Sequence, residues 1–205
     1  MKPARYGLVV ALFGLQRILE LGISRRNERE IRHRDPRVHE AGRLNFLGLG
    51  LANVGLFSLP VIESALRRGR KVPASIQAIG WAGALSAVVL RLSVIRTLAT
   101  EWNVRALVPA DLHVVDSGPY RFIRHPNYVA IALDFACLPL IGGAYGCALG
   151  LSAINAILLR ERIREEEHLL AKIPTYQERM GQKPRFIPRL RTTSVQSAAP
   201  ATRVG

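Results

Sequence analysis

The sequence predicts an all-α, polytopic integral membrane protein of about five transmembrane helices, the last two forming a hairpin that a cytoplasmic C-terminal helix follows. Three observations predict it. The 205-residue chain is 49% hydrophobic yet carries a formal charge of +14. Nearly charge-free stretches alternate with short Arg-rich connectors, the pattern of membrane spans between loops. Those stretches are close to the roughly 20 residues needed to cross a bilayer. A basic chain raises a nucleic-acid reading, but no basic helix with interleaved aromatics and no zinc-ligand set is present, so no nucleic-acid partner is expected.

Span 1 is expected over about Tyr6–Gly22, span 2 over Leu44–Ile62 and span 3 over Ala74–Ile95. The first resembles a signal peptide, but its apolar run passes into Gln16, Arg17 and Glu20 without a small-residue cleavage site, so it is read as a retained span. Residues 128–159 form an apolar run about 48 Å long as one helix, too long for one crossing. Pro139 and Gly142-Gly143 near its middle divide it into spans 4 and 5. Five crossings separate the termini, and Lys and Arg choose the orientation. The 21–43 connector, the 96–127 connector and the tail from Arg160 hold seven, four and ten of them, against two before span 1, four in 63–73 and none in the hairpin turn. The first set belongs in the cytoplasm, with Arg67–Lys71 a local exception. Residues 1–190 then make a single membrane domain, spans over 1–95 and a binding and catalytic part over 96–190, and 191–205 a flexible tail.

Within the spans, Arg17, Glu20, Asp134 and Asn155 are either glue between helices or contacts to a substrate. Cys137 and Cys147 read as packed thiols rather than a disulfide. No metal is expected, because the five histidines lack His-Glu-x-x-His spacing and the cysteines lack ligand pairing.

Two segments carry chemistry. In "GPYRFIRHPNY", 118–128, Pro126 forces His125 out of helical geometry and can open span 4, so a helix start faces Arg121, Arg124 and His125, a site for an anion. The alternative is a headgroup anchor with Tyr120, Phe122 and Tyr128 as an interfacial belt. In "LLRERIREEEHLLAKIPTY", the continuation of span 5, Leu159, Ile163, Leu170 and Ile173 share a stripe with Glu166 at its centre and Glu167 at its margin. A carboxylate there needs a partner, and Arg162, one turn earlier, is the nearest. A cationic helix start and a half-buried carboxylate on one side of the membrane suit a zwitterion.

Taken together, "GPYRFIRHPNY", "RIREEEHLL" some thirty residues later, Tyr176 and "RFIP" resemble the isoprenylcysteine carboxyl methyltransferase family over about residues 76–190. "RILELGISRRN" and "EWNVRALV" resemble a bacterial branch that O-methylates phenolic lipids and alkylpyrones. The resemblance implies S-adenosylmethionine as cofactor without a Rossmann fold. It also implies a lipophilic acceptor in the bilayer, with the active site on the cytoplasmic side of a bacterial inner membrane. It places Tyr120, Arg124, His125, Pro126, Tyr128, Arg162, Glu166 and Glu167 at the cofactor. Ala130 stands where the family often has glycine, and its methyl crowds close backbone approach. His125 or Glu167 is the candidate base if the acceptor is a phenol, and Arg105 the candidate oxyanion partner. Sterol-reductase-like proteins share a His-Pro-x-Tyr element, so an NADPH-dependent reductase is the rival enzyme and a non-catalytic scaffold the third reading.

Overall fold

A computed structural model describes residues 2–41, 46–67 and 71–188. Six α-helices account for most of these: α1 (Pro3–Arg34), α2 (Phe46–Leu66), α3 (Ala74–Leu98), α4 (Pro126–Gly142), α5 (Tyr145–Leu170) and α6 (Pro174–Met180). Two-residue strands, β1 (His39–Glu40) and β2 (Leu107–Val108), pair antiparallel, His39 with Val108. The molecule is an all-α polytopic membrane protein. Helices α1, α2 and α3 are long and apolar enough to cross a bilayer, and α4 is a shorter apolar helix. The first residues of span 2, Arg68 and Arg70 of the Arg67–Lys71 cluster, and the 191–205 tail lie outside the described residues.

Span 1 differs from expectation in one respect. Most of the basic 21–43 segment, expected as a connector, is helix, because nothing after Gly22 interrupts its Arg- and Glu-rich run until Pro36. At 1.5 Å per residue α1 is about 48 Å long, so its last turns stand beyond the hydrocarbon layer. They bury Ser24, Asn27 and Ile31.

The hairpin turn falls where proline and glycine placed it. Helix α4 runs through Pro139 and stops at Gly142, and Gly143 takes a left-handed φ of 73° that other residues adopt with difficulty. Its N–H donates to Leu140 O at 3.0 Å, and Ala144 N–H donates to Pro139 O at 3.0 Å. The remaining carbonyls receive side chains from the other spans: Tyr6 donates to Leu138 O, Gln77 to Ile141 O, Ser64 to Gly142 O and Arg67 to Gly143 O. Glu63 caps the other arm by accepting the N–H groups of Gly146 and Cys147. A helix break near membrane depth is tolerated when its polar backbone is answered this way. Both cysteines are free, and Cys137 packs so closely on Gly83 that a side chain there would collide with its sulfur.

The charges inside the spans pair with each other. Arg17 donates to Glu20 at 2.8 Å and also to Asp134, and Arg91 reaches Asp134 and, at 3.4 Å, Glu20. Two cations and two anions from α1, α3 and α4 thus make one neutral cluster, in which Arg91 and Asp134 are each 3% exposed. These groups join helices, the first of the two roles open to them. Asn155 is buried on α5.

Asp134→Leu leaves two guanidinium groups sharing one carboxylate and is expected to cost about 3–5 kcal/mol, read as a lower unfolding midpoint in detergent micelles titrated with dodecyl sulfate. Asp134→Leu combined with Arg91→Leu should recover part of that loss.

Candidate active site

At the polar end of the bundle, the ends of α3 and α5, the start of α4 and helix α6 surround one cavity. Its space, counting the part open to solvent, is about 870 Å³.

The first wall is residues 98–115. Ala99 and Ala106 hold left-handed φ values of 48° and 52°, which cost a non-glycine residue about 1–2 kcal/mol each. The projecting turns of α1 hold this shape. Asn27 donates to the carbonyls of Ala99 at 2.8 Å and Trp102 at 2.7 Å, and Ser24 Oγ accepts the Val104 N–H at 2.9 Å. Arg34 pairs with Glu101 at 2.8 Å, and the β1–β2 pairing continues the wall. The helical extension of span 1 is therefore a buttress for the cavity.

The second wall is the 118–128 turn. His125, outside helical geometry with φ −124° and ψ 56°, precedes Pro126, the first residue of α4, as the His-Pro step requires. The backbone anion site expected there is reduced to the N–H of Asn127. Pro126 has no N–H, the Tyr128 and Val129 N–H groups are satisfied by His125 O, and those of Arg124 and His125 donate to Pro184 O and Arg185 O at 2.9 and 3.0 Å. Cationic character comes instead from the Arg124 side chain, whose Nε is buried with no partner among the described residues. Arg121 is exposed beside the Phe122 ring and lies away from the cavity.

The third wall is the last turns of α5 with α6. Arg162 Nε donates to Tyr128 Oη at 3.0 Å, and that hydroxyl donates to Glu166. The expected Arg162–Glu166 pair is thus bridged by a tyrosine from α4. Arg162 also donates to Val104 O, tying α5 to the first wall. Tyr120 and Tyr176 line the same space. Burial, and then the nearby Glu166 charge, push both phenols above their ordinary range, so they remain protonated donors at neutral pH.

Of the sequence-derived residues, Tyr120, Arg124, His125, Tyr128, Arg162 and Glu166 line the cavity, and Pro126 sets its helix start. Two do not. Arg105 points outward, held by Glu28 at 3.2 Å and Glu40 at 2.8 Å and stacked over Phe46. Its partners sit on the buttress and on β1, which draw it away from the cavity. Glu167, one position round the helix from Glu166, faces a separate surface depression beside Arg164 and Arg185. It accepts from His125 Nε2 at 3.0 Å and from Arg185 Nε at 2.9 Å, with Arg124 Nη2 at 3.5 Å. Burial pushes its pKa up, but the bonds from Arg185 and His125 outweigh that and hold it below the usual carboxylate range. An ionised Glu167 only accepts, so His125 Nε2 carries a proton and Nδ1 is the ring's remaining basic atom when the imidazole is neutral. Residues the site-residue reading passed over are Trp102, Asn103, His113, Asn127 and Tyr176. Trp102, directly after a span, looks in sequence like an interfacial anchor.

The isoprenylcysteine carboxyl methyltransferase family model matches residues 78–172, which include both motif segments up to Lys172. The chain is also similar to the uncharacterized protein YpbQ of Bacillus subtilis (strain 168), 30% identical over 170 residues, covering 80% of this chain and 96% of that protein.

Glu167→Gln should free the Arg185 side chain, while the backbone bonds to Pro184 and Arg185 stay, and lower stability by about 1–2 kcal/mol at neutral pH. The folded-state pKa of Glu167 lies below the unfolded value, so its contribution is present above the ordinary carboxylate pKa and is lost as pH falls through the folded one. The difference in melting temperature between the wild type and this variant should therefore shrink as pH falls below the ordinary carboxylate pKa of about 4.5.

Proposed function

The chain belongs to the isoprenylcysteine carboxyl methyltransferase family, and from that premise we propose that it is a membrane enzyme moving a methyl group from S-adenosylmethionine to an oxygen of a lipophilic acceptor. The acceptor is a phenolic lipid, an alkylpyrone or an isoprenylcysteine-like carboxylate. The observation that carries this reading is that Arg124, with its unpaired buried Nε, and Glu166 line one cavity that apolar Leu98, Leu107, Leu112 and Leu170 also line. A ligand with a carboxylate, an ammonium and a planar ring system fits that set of groups. Arg124 takes the carboxylate, and Glu166 takes the ammonium. The protonated phenols of Tyr120 and Tyr176 donate to remaining oxygens.

When bound, S-adenosylmethionine supplies an electrophilic methyl on a sulfonium. Arg124 and Glu166 would hold the cofactor's two charged ends and so leave its methyl available to the acceptor oxygen. A carboxylate arrives ionised. A phenol loses its proton to His125 Nδ1, with Glu167 holding the ring through Nε2, so Glu167 orients the base rather than serving as one. Charge cancels during transfer, and the apolar lining excludes water from it. The Lys/Arg distribution supports a site at the cytoplasmic face of a bacterial inner membrane, with the acceptor entering from the bilayer.

Purified protein in nanodiscs should bind S-adenosylmethionine calorimetrically, and Glu166→Gln or Arg124→Met should weaken binding about 10–100-fold, the loss of one or two charge-assisted hydrogen bonds. Tritium from methyl-labelled cofactor should enter a membrane lipid extract and vanish in both variants. Consumption of NADPH without tritium transfer would instead establish the reductase reading.

A further inference from the structure

The first wall holds a polar atom that the proposed cofactor contacts do not use. Trp102 is 4% exposed, lines the cavity, and its indole Nε1 is buried with no hydrogen-bond partner among the described residues. Buried N–H groups in folded proteins are as a rule answered, and one without a partner on a cavity-lining side chain is available to a ligand atom. Its position is also fixed. The Trp102 carbonyl is held by Asn27, the chain on either side by Ala99 and Val104, and the neighbouring Glu101 carboxylate by Arg34. A neutral donor set rigidly beside Leu98, Leu107 and Val108 discriminates for a single oxygen on an otherwise apolar molecule.

The side of the cavity matters as well. Trp102 follows α3 by four residues, and Leu98, which ends that apolar helix, lines the same cavity. Tyr176, Met180 and His113 line the cavity from segments outside the apolar spans. Resting on the methyl-transfer reading above, we propose that the Trp102 indole N–H is the specificity-determining donor for the lipophilic acceptor, holding one of its oxygens beside Leu98 and Leu107 while the cofactor occupies the Arg124–Glu166 side. Trp102 thereby selects amphiphiles whose polar end accepts a hydrogen bond, and a chain lacking that oxygen leaves the indole unanswered.

The test uses the full chain in nanodiscs saturated with S-adenosylhomocysteine, and two probes, 3-pentadecylphenol and hexadecanoate. In a Trp81→Phe variant, Trp102 is the sole tryptophan, and its emission should shift saturably with at least one probe. Trp102→Phe keeps the ring and the backbone carbonyl that Asn27 holds. It should weaken equilibrium binding of that probe about tenfold and leave S-adenosylhomocysteine affinity unchanged. Unaltered probe affinity in Trp102→Phe, or no binding of either probe by the wild type, overturns the proposal. A tenfold loss of S-adenosylhomocysteine affinity in Trp102→Phe also overturns it, by assigning the indole to the cofactor. Failure of the wild type to bind S-adenosylhomocysteine at all is the distinct result that removes the methyl-transfer reading, and this proposal with it.

Discussion

The hydrogen-bonded chain from Arg162 through the Tyr128 hydroxyl to Glu166 holds the cavity together. Arg162 is buried at the end of α5, Tyr128 stands in the first turns of α4, and the same guanidinium reaches Val104 O on the loop after α3. One cation therefore fixes the relative positions of all three walls. A buried charge is tolerable only when its donors are answered. The partners of Arg162 are those that define the site, so assembling the cavity and stabilising the bundle are the same event. Tyr128 also separates Arg162 from Glu166, which leaves the carboxylate at the cavity surface rather than consumed in an internal ion pair.

Below this site the bilayer imposes a different rule, that polar atoms at depth find partners within the protein. The structure answers it twice. Toward one end, Arg17, Glu20, Arg91 and Asp134 cancel one another across three helices. At the other, four side chains from α1, α2 and α3 occupy the carbonyls that the Pro139–Gly143 break exposes. Both devices fasten α4 to the rest of the bundle, and α4 is the helix whose first residues carry His125 and Tyr128. The position of the site is thus set from the middle and the far end of one short helix.

The basic residues outside the spans divide by task. Arg34 and Arg105 neutralise carboxylates on the buttress and its neighbours, and Arg185 clamps Glu167. Arg124 faces the cavity with an unsatisfied nitrogen. Arginines near the site are thus divided between carboxylates from distant segments and the cavity itself. The pairing of Glu167 with His125 turns a carboxylate that looked like a second cofactor contact into the group that sets the proton on a histidine.

Sequence alone determined the all-helical membrane architecture, because apolar span length and the Pro–Gly break act through local rules that tertiary contacts do not override. It also singled out a cationic turn and an acidic helix as partners, and most of the residues named at those two motifs line the cavity. Tertiary structure decided what those rules leave open. Helical phase identifies Glu166 and Glu167 as neighbours but cannot show that Tyr128 from another helix claims one and His125 and Arg185 claim the other. No local pattern marks the end of α1 as a buttress, or Trp102 as a cavity donor, because each depends on a partner some seventy residues away in the chain. Burial and the choice of partner are properties of the assembled bundle, and only there do the functional side chains acquire their directions.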